Sequence, residues 1–104
     1  MAQFDVYRNA NPATQAAFPY LVDVQADLLD ALATRVVVPL ARSQEVPRPA
    51  KILNPKFRIQ GTDLVMLTQE IAGVPKRVLG DKAASLASKR PEIVGALDLL
   101  ITGF

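Results

Sequence analysis

The sequence predicts a mainly β domain, a small barrel or sandwich of short strands followed by one C-terminal helix. Three observations lead there. The chain has 104 residues, the length of a single domain. Its first three quarters carry short runs of period-two alternation separated by Pro, Asn, Asp and Gly. Its last quarter changes to a helical period. A chain this short buries only about 65% of the surface its unfolded form exposes. Residues 1–104 therefore read as one domain with one modest core, strands over 3–79 and a helix over about 89–102.

Phe4-Asp5-Val6-Tyr7 alternates and reads as a first strand with Phe4 and Val6 inward and Asp5 outward. Arg8 to Pro19 reads as a loop, its Asn9-Ala10-Asn11-Pro12 cluster supplying turn residues. Tyr20 to Gln25 resumes alternation, with Val22 and Val24 on one face and Asp23 and Gln25 on the other. Asp27-Leu28-Leu29-Asp30 follows, an acid-bracketed leucine pair. The pair either marks a contact site on an exposed turn or tucks under the barrel edge. Thr34 to Leu40 is β-branched enough for a buried strand, and Pro39 is expected to close it.

Pro47, Pro49 and Pro55 break residues 41–55 into an excursion. Lys56 to Gln60 and Leu64 to Thr68 form a predicted antiparallel pair turned by Gly61-Thr62-Asp63. Val74 to Leu79 reads as a sixth strand stopped by Gly80. In the helix, Ser88 is a candidate cap, Pro91 suits the first turn, Glu92 the positive dipole end and Gly103 the exit. Ile93, Leu97, Leu100 and Phe104 fall at i, i+4, i+7 and i+11, and Val94 and Ile101 widen the stripe. One barrel face covers only one side of such a helix. Val94, Leu97 and Ile101 are therefore candidates for a homodimer seam, the alternative being a wholly intramolecular helix.

Composition excludes much chemistry. The chain lacks Cys and His, which removes disulfides, thiol nucleophiles, Ser-His and Cys-His catalysis and ordinary zinc sites. Gly61, Gly73, Gly80, Gly95 and Gly103 assemble neither a dinucleotide fingerprint nor a phosphate loop, so no cofactor is implied. No catalytic or metal-ligating residue stands out, and the composition points away from an enzyme. Asp27 and Asp30 lie three apart in a loop, a spacing that fixes no acid-base geometry.

The start, Met1 to Tyr7, has neither the basic nor the apolar region of a secretory signal. Apolar runs such as Val36 to Ala41 are far short of the roughly 20 residues that cross a bilayer. The expectation is a cytoplasmic protein with no membrane partner. Residues 35–58 hold Arg35, Arg42, Arg48, Lys51, Lys56 and Arg58 against Glu45 alone. That basic stretch is either a solvated loop with charged strand edges or a nucleic-acid contact without an aromatic platform.

Five segments in order resemble the CcdB toxins of bacterial toxin-antitoxin modules. They are Gln3 to Tyr7, Val22 to Asp30, Val37-Val38-Pro39-Leu40, Gly73-Val74-Pro75 and Leu99 to Phe104. The similarity covers nearly the whole chain apart from loops 9–19 and 41–53. It implies an SH3-like β-barrel with a C-terminal helix, assembled as a homodimer and carrying no catalysis. It further implies a toxin that binds the A subunit of DNA gyrase and traps the enzyme on cleaved DNA. DNA would be met only indirectly, through gyrase or the antitoxin complex. A CcdA-like antitoxin, folding on binding, would neutralise it.

The implied gyrase contacts are Gln3, Phe4, Tyr7, Ala26, Leu28, Leu29, Asp98, Ile101, Thr102, Gly103 and Phe104. The chain departs from the plasmid-borne toxin by carrying Thr102 in place of Trp and Asp98 in place of Asn. It so lacks a cation-π surface worth about 0.5–2 kcal/mol. Two other functions remain: a MazF-like ribonuclease holding RNA on residues 35–58 beside a catalytic Arg, and a dimeric antitoxin-binding remnant that does not poison gyrase.

Overall fold

A computed structural model describes residues 1–103. Its seven strands are β1 (Asp5–Asn9), β2 (Tyr20–Asp23), β3 (Thr34–Arg42), β4 (Lys56–Ile59), β5 (Thr62–Met66), β6 (Ala72–Pro75) and β7 (Leu79–Ser85). The helix is α1 (Arg90–Thr102). The strands pair antiparallel in the order β4-β5-β3-β2-β1-β7, with β6 alongside the first half of β3. The sheet curls into a half-barrel, and α1 closes its concave side. The mainly β architecture with one C-terminal helix is as the sequence predicts.

Cross-strand rows explain the curl. Val6 faces Val22 and Val22 faces Val38, while Tyr20 faces Leu40 and Leu40 faces Met66. These β-branched and long apolar side chains fill the concave core with Phe57, Ile59, Leu64, Ile93 and Ala96. Fully burying one such side chain is worth about 1.5–3 kcal/mol, so the rows fix the register. The Gln60 tip reaches across the open side, accepting from Arg8 Nη2 at 2.9 Å and donating to the Ala83 carbonyl at 3.1 Å.

Several local expectations are corrected. Asp5 points away from the concave core as expected but is not solvated, because the convex face of β1 and β2 is covered as well: Asp5, Tyr7, Leu21 and Asp23 are all buried there. β3 runs through Pro39 to Arg42. The Pro39 carbonyl accepts from Leu67 N, so its missing N–H falls where the neighbour of β3 changes from β6 to β5, and no ladder bond is lost. The hairpin turns on Gln60-Gly61, with φ of 49° and 80° and Ile59 facing Thr62. Two positive φ values are what a two-residue type I′ turn demands.

The predicted sixth strand is split. β6 ends at Pro75, a 3₁₀ turn spans Lys76–Val78, and β7 continues to Ser85. Gly80 does not stop a strand but lies inside β7, where a Cβ would meet the Arg8 carbonyl at 3.0 Å. The strands therefore extend past residue 79. Lys89 and not Ser88 precedes α1, without a side-chain cap, while Pro91 sits in the first turn and Gly103 ends the helix at φ 80°. Ile93 and Ala96 take the deepest helix positions. Val94 and Leu97 pack partly against the core, and Ile101 is 73% exposed.

Candidate functional site

The convex face carries a buried charge cluster beneath an exposed apolar turn. Asp23 ends β2 and Arg35 lies near the start of β3, and both side chains are fully buried. Arg35 Nε donates to Asp23 Oδ2 at 2.9 Å. Nη2 lies 2.7 Å from the same oxygen, an ionic contact without the alignment of a hydrogen bond. Gln25 N donates to Asp23 Oδ1 at 3.0 Å. Burial pushes the Asp23 carboxyl up, and the bonds from Arg35 and Gln25 oppose that shift without cancelling it.

The other end of Arg35 holds the turn. Its Nη1 donates to Asp30 Oδ1 at 3.0 Å. Residues Asp27–Leu29 form one 3₁₀ turn, with Leu29 N bonded to Ala26 O and Asp30 N to Asp27 O. Gln25 Nε2 donates to the Leu29 carbonyl at 3.0 Å while its Oε1 accepts from Val36 N at 3.0 Å. Gln3 N donates to Asp27 Oδ1 at 2.7 Å, and Lys76 Nζ to the Asp30 carbonyl at 2.9 Å. Four separate segments thus grip a turn whose own Leu28 is 93% exposed and Leu29 47% exposed.

The chain start joins this end of the fold. Gln3 Nε2 donates to the Val24 carbonyl at 3.1 Å, and its Oε1 accepts from Arg90 Nη1 at 3.0 Å. The Arg90 guanidinium stands 5.5 Å from the Phe4 ring centroid, within cation-π range. Phe4 itself is buried, at φ 71°. Tyr7 OH donates to Asp5 Oδ2 at 3.3 Å, and Lys82 Nζ lies 3.2 Å from the other Asp5 oxygen. Burial, then the neighbouring Asp5 carboxylate, push the Tyr7 phenol up to about 12.

From Arg90 the helix leads away, and at 1.5 Å per residue Ile101 lies roughly 16 Å along the axis. Among the described residues no hydrogen bond or ion pair links residues 98–103 to the leucine turn. Thr102 Oγ1 turns back to donate to the Asp98 carbonyl at 2.7 Å.

Compared with known protein families, the chain matches the one described as CcdB protein over residues 3–103. The chain belongs to the CcdB family. It is a toxin of the CcdB type, as the resemblance of its motifs implies.

Of the residues that the resemblance assigns to gyrase, the structure gathers Gln3, Ala26, Leu28 and Leu29 at one end. Phe4 and Tyr7 are buried beneath them and offer a partner little surface. Asp98, Ile101, Thr102 and Gly103 are exposed at the helix end, and Phe104 lies outside the described residues. The basic stretch is not one surface. Arg35 is buried in the charge cluster, Arg42 donates to the Ala16 carbonyl, and Arg58 pairs with Asp63 on the β4–β5 hairpin.

Sequence reasoning missed the supports: Asp23 and Gln25 were expected on a plain polar strand face, Arg35 at a charged strand edge and Asp30 in an unstructured loop. Opposite charges embedded in successive strands of otherwise apolar composition were the available signal. Among the described residues, no group of three or more Asp and Glu side chains is placed to hold a metal ion. No described helix is long and apolar enough to cross a membrane.

Proposed function

We propose that this toxin binds the A subunit of DNA gyrase and stabilises the gyrase-DNA cleavage complex, acting in the cytoplasm as a homodimer that a CcdA-like antitoxin neutralises. The observation that carries the reading is Leu28, a large apolar side chain 93% exposed on a turn fixed from several sides. An isolated exposed leucine is ordinary, but one at the tip of a braced turn beside Ala26 and Leu29 is a preorganised anchor. Ile101 supplies a second exposed apolar group at the helix end.

The separation of these two groups within one subunit favours a contact surface drawn from both subunits of a dimer. Val94, Leu97 and Ile101 are the seam residues, the first two half-buried and the last open. Poisoning is then a population shift: a ligand that prefers the cleaved-DNA conformer raises its share in proportion to the differential affinity. Gln3 contacts the partner directly at the rim, whereas Phe4 and Tyr7 act as floor.

Thr102 favours a second reading. Its hydroxyl is tied back to Asp98, and it presents no stacking surface, which fits a dimer that retains antitoxin binding without gyrase poisoning. The ribonuclease reading has less behind it, because in residues 35–58 Arg35 is buried in ion pairs, Arg42 donates to the Ala16 carbonyl and Arg58 pairs with Asp63. Calorimetric titration with a gyrase A fragment and with the C-terminal antitoxin peptide tests the proposal. Wild type should bind both, and Leu28→Asp should lose the gyrase fragment. Antitoxin binding alone would establish the second reading.

A further inference from the structure

Asp30 occupies an unusual position: a half-exposed carboxylate whose partner, Arg35, is fully buried. Asp23 already pairs with Arg35 from β2, so a second acid is not required to neutralise the guanidinium. What the second pairing adds is a tether between a rigid strand and the segment that follows Leu28 and Leu29. Gln25 adds another, bridging the Leu29 carbonyl to Val36 N of β3. A single 3₁₀ turn has poor hydrogen-bond geometry and does not persist unaided. Leu28, 93% exposed, makes too little contact with the fold to order the turn itself.

We propose that Asp30 and Gln25, anchored through Arg35 and β3, are positioning residues that hold the Leu28-Leu29 turn in its binding geometry before any partner arrives. This rests on the gyrase reading of that turn and deepens it: the partner meets an ordered apolar tip and need not order it. Neither positioning side chain touches the partner through its tethered atoms. Asp30 is directed at Arg35, and Gln25 is buried.

Three variants separate positioning from contact. Asp30→Ala cuts the tether yet leaves the Asp23–Arg35 pair intact, Asp30→Asn keeps an acceptor oxygen without the charge, and Leu28→Ala removes the tip alone. Amide exchange of Leu29, residue 30 and Leu32, all bonded within the turn, reports its order. Titration with a gyrase A fragment reports binding, and thermal melting reports the global fold.

Asp30→Ala is expected to speed exchange of these amides at least tenfold and weaken binding about tenfold, with the melting temperature little changed. Asp30→Asn should recover part of both losses. Leu28→Ala should weaken binding with exchange unaltered. Exchange in Asp30→Ala that matches wild type overturns the proposal, as does fast exchange with undiminished binding. A wild type that binds no gyrase fragment overturns the gyrase reading and the positioning role with it, while the exchange arm still decides whether Asp30 orders the turn.

Discussion

Replacing Arg35 by Met should turn a buried ion pair into a buried lone charge. Methionine is flexible and retains much of the residue volume, although it ends short of the guanidinium, so the cavity contribution is the smaller part of the effect. What changes is Asp23, which is fully buried and left with the Gln25 N–H alone. Breaking a buried pair by removing one partner costs about 3–5 kcal/mol. Asp23 can escape that cost by taking up a proton. From an ordinary value of about 3.9, protonation at pH 7 costs about 4 kcal/mol, which caps the unpaired-charge part of the loss.

The expected loss for Arg35→Met at pH 7 is therefore about 3–4 kcal/mol, and it should shrink on acidification. At pH 4 protonation is nearly free, and only the lost bonds to Asp23 and Asp30 remain, about 1–2 kcal/mol. The direction agrees with wild type, where the Asp23 carboxyl is already raised by burial. A raised acid favours folding below its unfolded value and loses that contribution as pH rises through the folded one. Urea denaturation of both proteins at pH 4 and pH 7, at matched concentration, measures the difference. Adding Asp23→Leu to Arg35→Met should recover most of the loss at pH 7. A loss below about 1 kcal/mol at pH 7, or one equal at both pH values, would refute the reasoning.

Tyr7→Phe should flatten an alkaline decline: the phenol titrates near 10 when unfolded and at about 12 when folded, so its contribution disappears as pH rises through that window. Wild-type minus Tyr7→Phe stability, followed by denaturation from pH 9 to 12, checks this, and an unchanged difference counts against it. Leu97→Asp should dissociate the proposed dimer, because a carboxylate in an apolar seam is costly; a wild type that sediments as a dimer left unaltered by the substitution would show that the seam lies elsewhere. Thr102→Trp should free the helix end from the Asp98 carbonyl and tighten gyrase binding by about 1 kcal/mol, read by calorimetry against the same fragment.

The strands and helix were legible because their signals are local. Val6, Val22 and Val38 carry the alternation that fills the concave core, and Pro91 and Gly103 bracket α1 at the two positions where each fits. The convex face was not legible. Alternation marks Asp5 and Asp23 as outward, which is true of direction but not of solvent, because Arg35 closes over Asp23, and Tyr7, Lys82 and the Ala2 N–H meet Asp5. Whether a charged residue on the second face is wet or buried depends on what the chain lays over it, and no window of sequence reports that. The same limit explains Arg35, whose partners Asp23 and Asp30 come from an adjacent strand and the intervening turn.

Gly80 shows the opposite error. Glycine punctuates turns often enough to suggest a stop, but here it admits the close approach of β7 to the Arg8 carbonyl. At the site, the leucine pair was visible as a choice between exposed and tucked, and the structure exposes it. Of the braces beneath it, Gln3 bonds to a residue far along the chain, whereas Gln25 and Asp30 bond to Leu29 and Arg35 only four and five residues away, and their one trace in the sequence is a set of charges among apolar strands.

Gyrase poisoning itself is tested most directly by incubating the purified wild-type protein with gyrase, ATP and supercoiled DNA, then denaturing with detergent and protease and scoring linear DNA. Wild type should accumulate linear product in proportion to its concentration, and Leu28→Asp should leave the DNA uncleaved. Wild type that traps no linear DNA at concentrations saturating the antitoxin peptide would contradict the account.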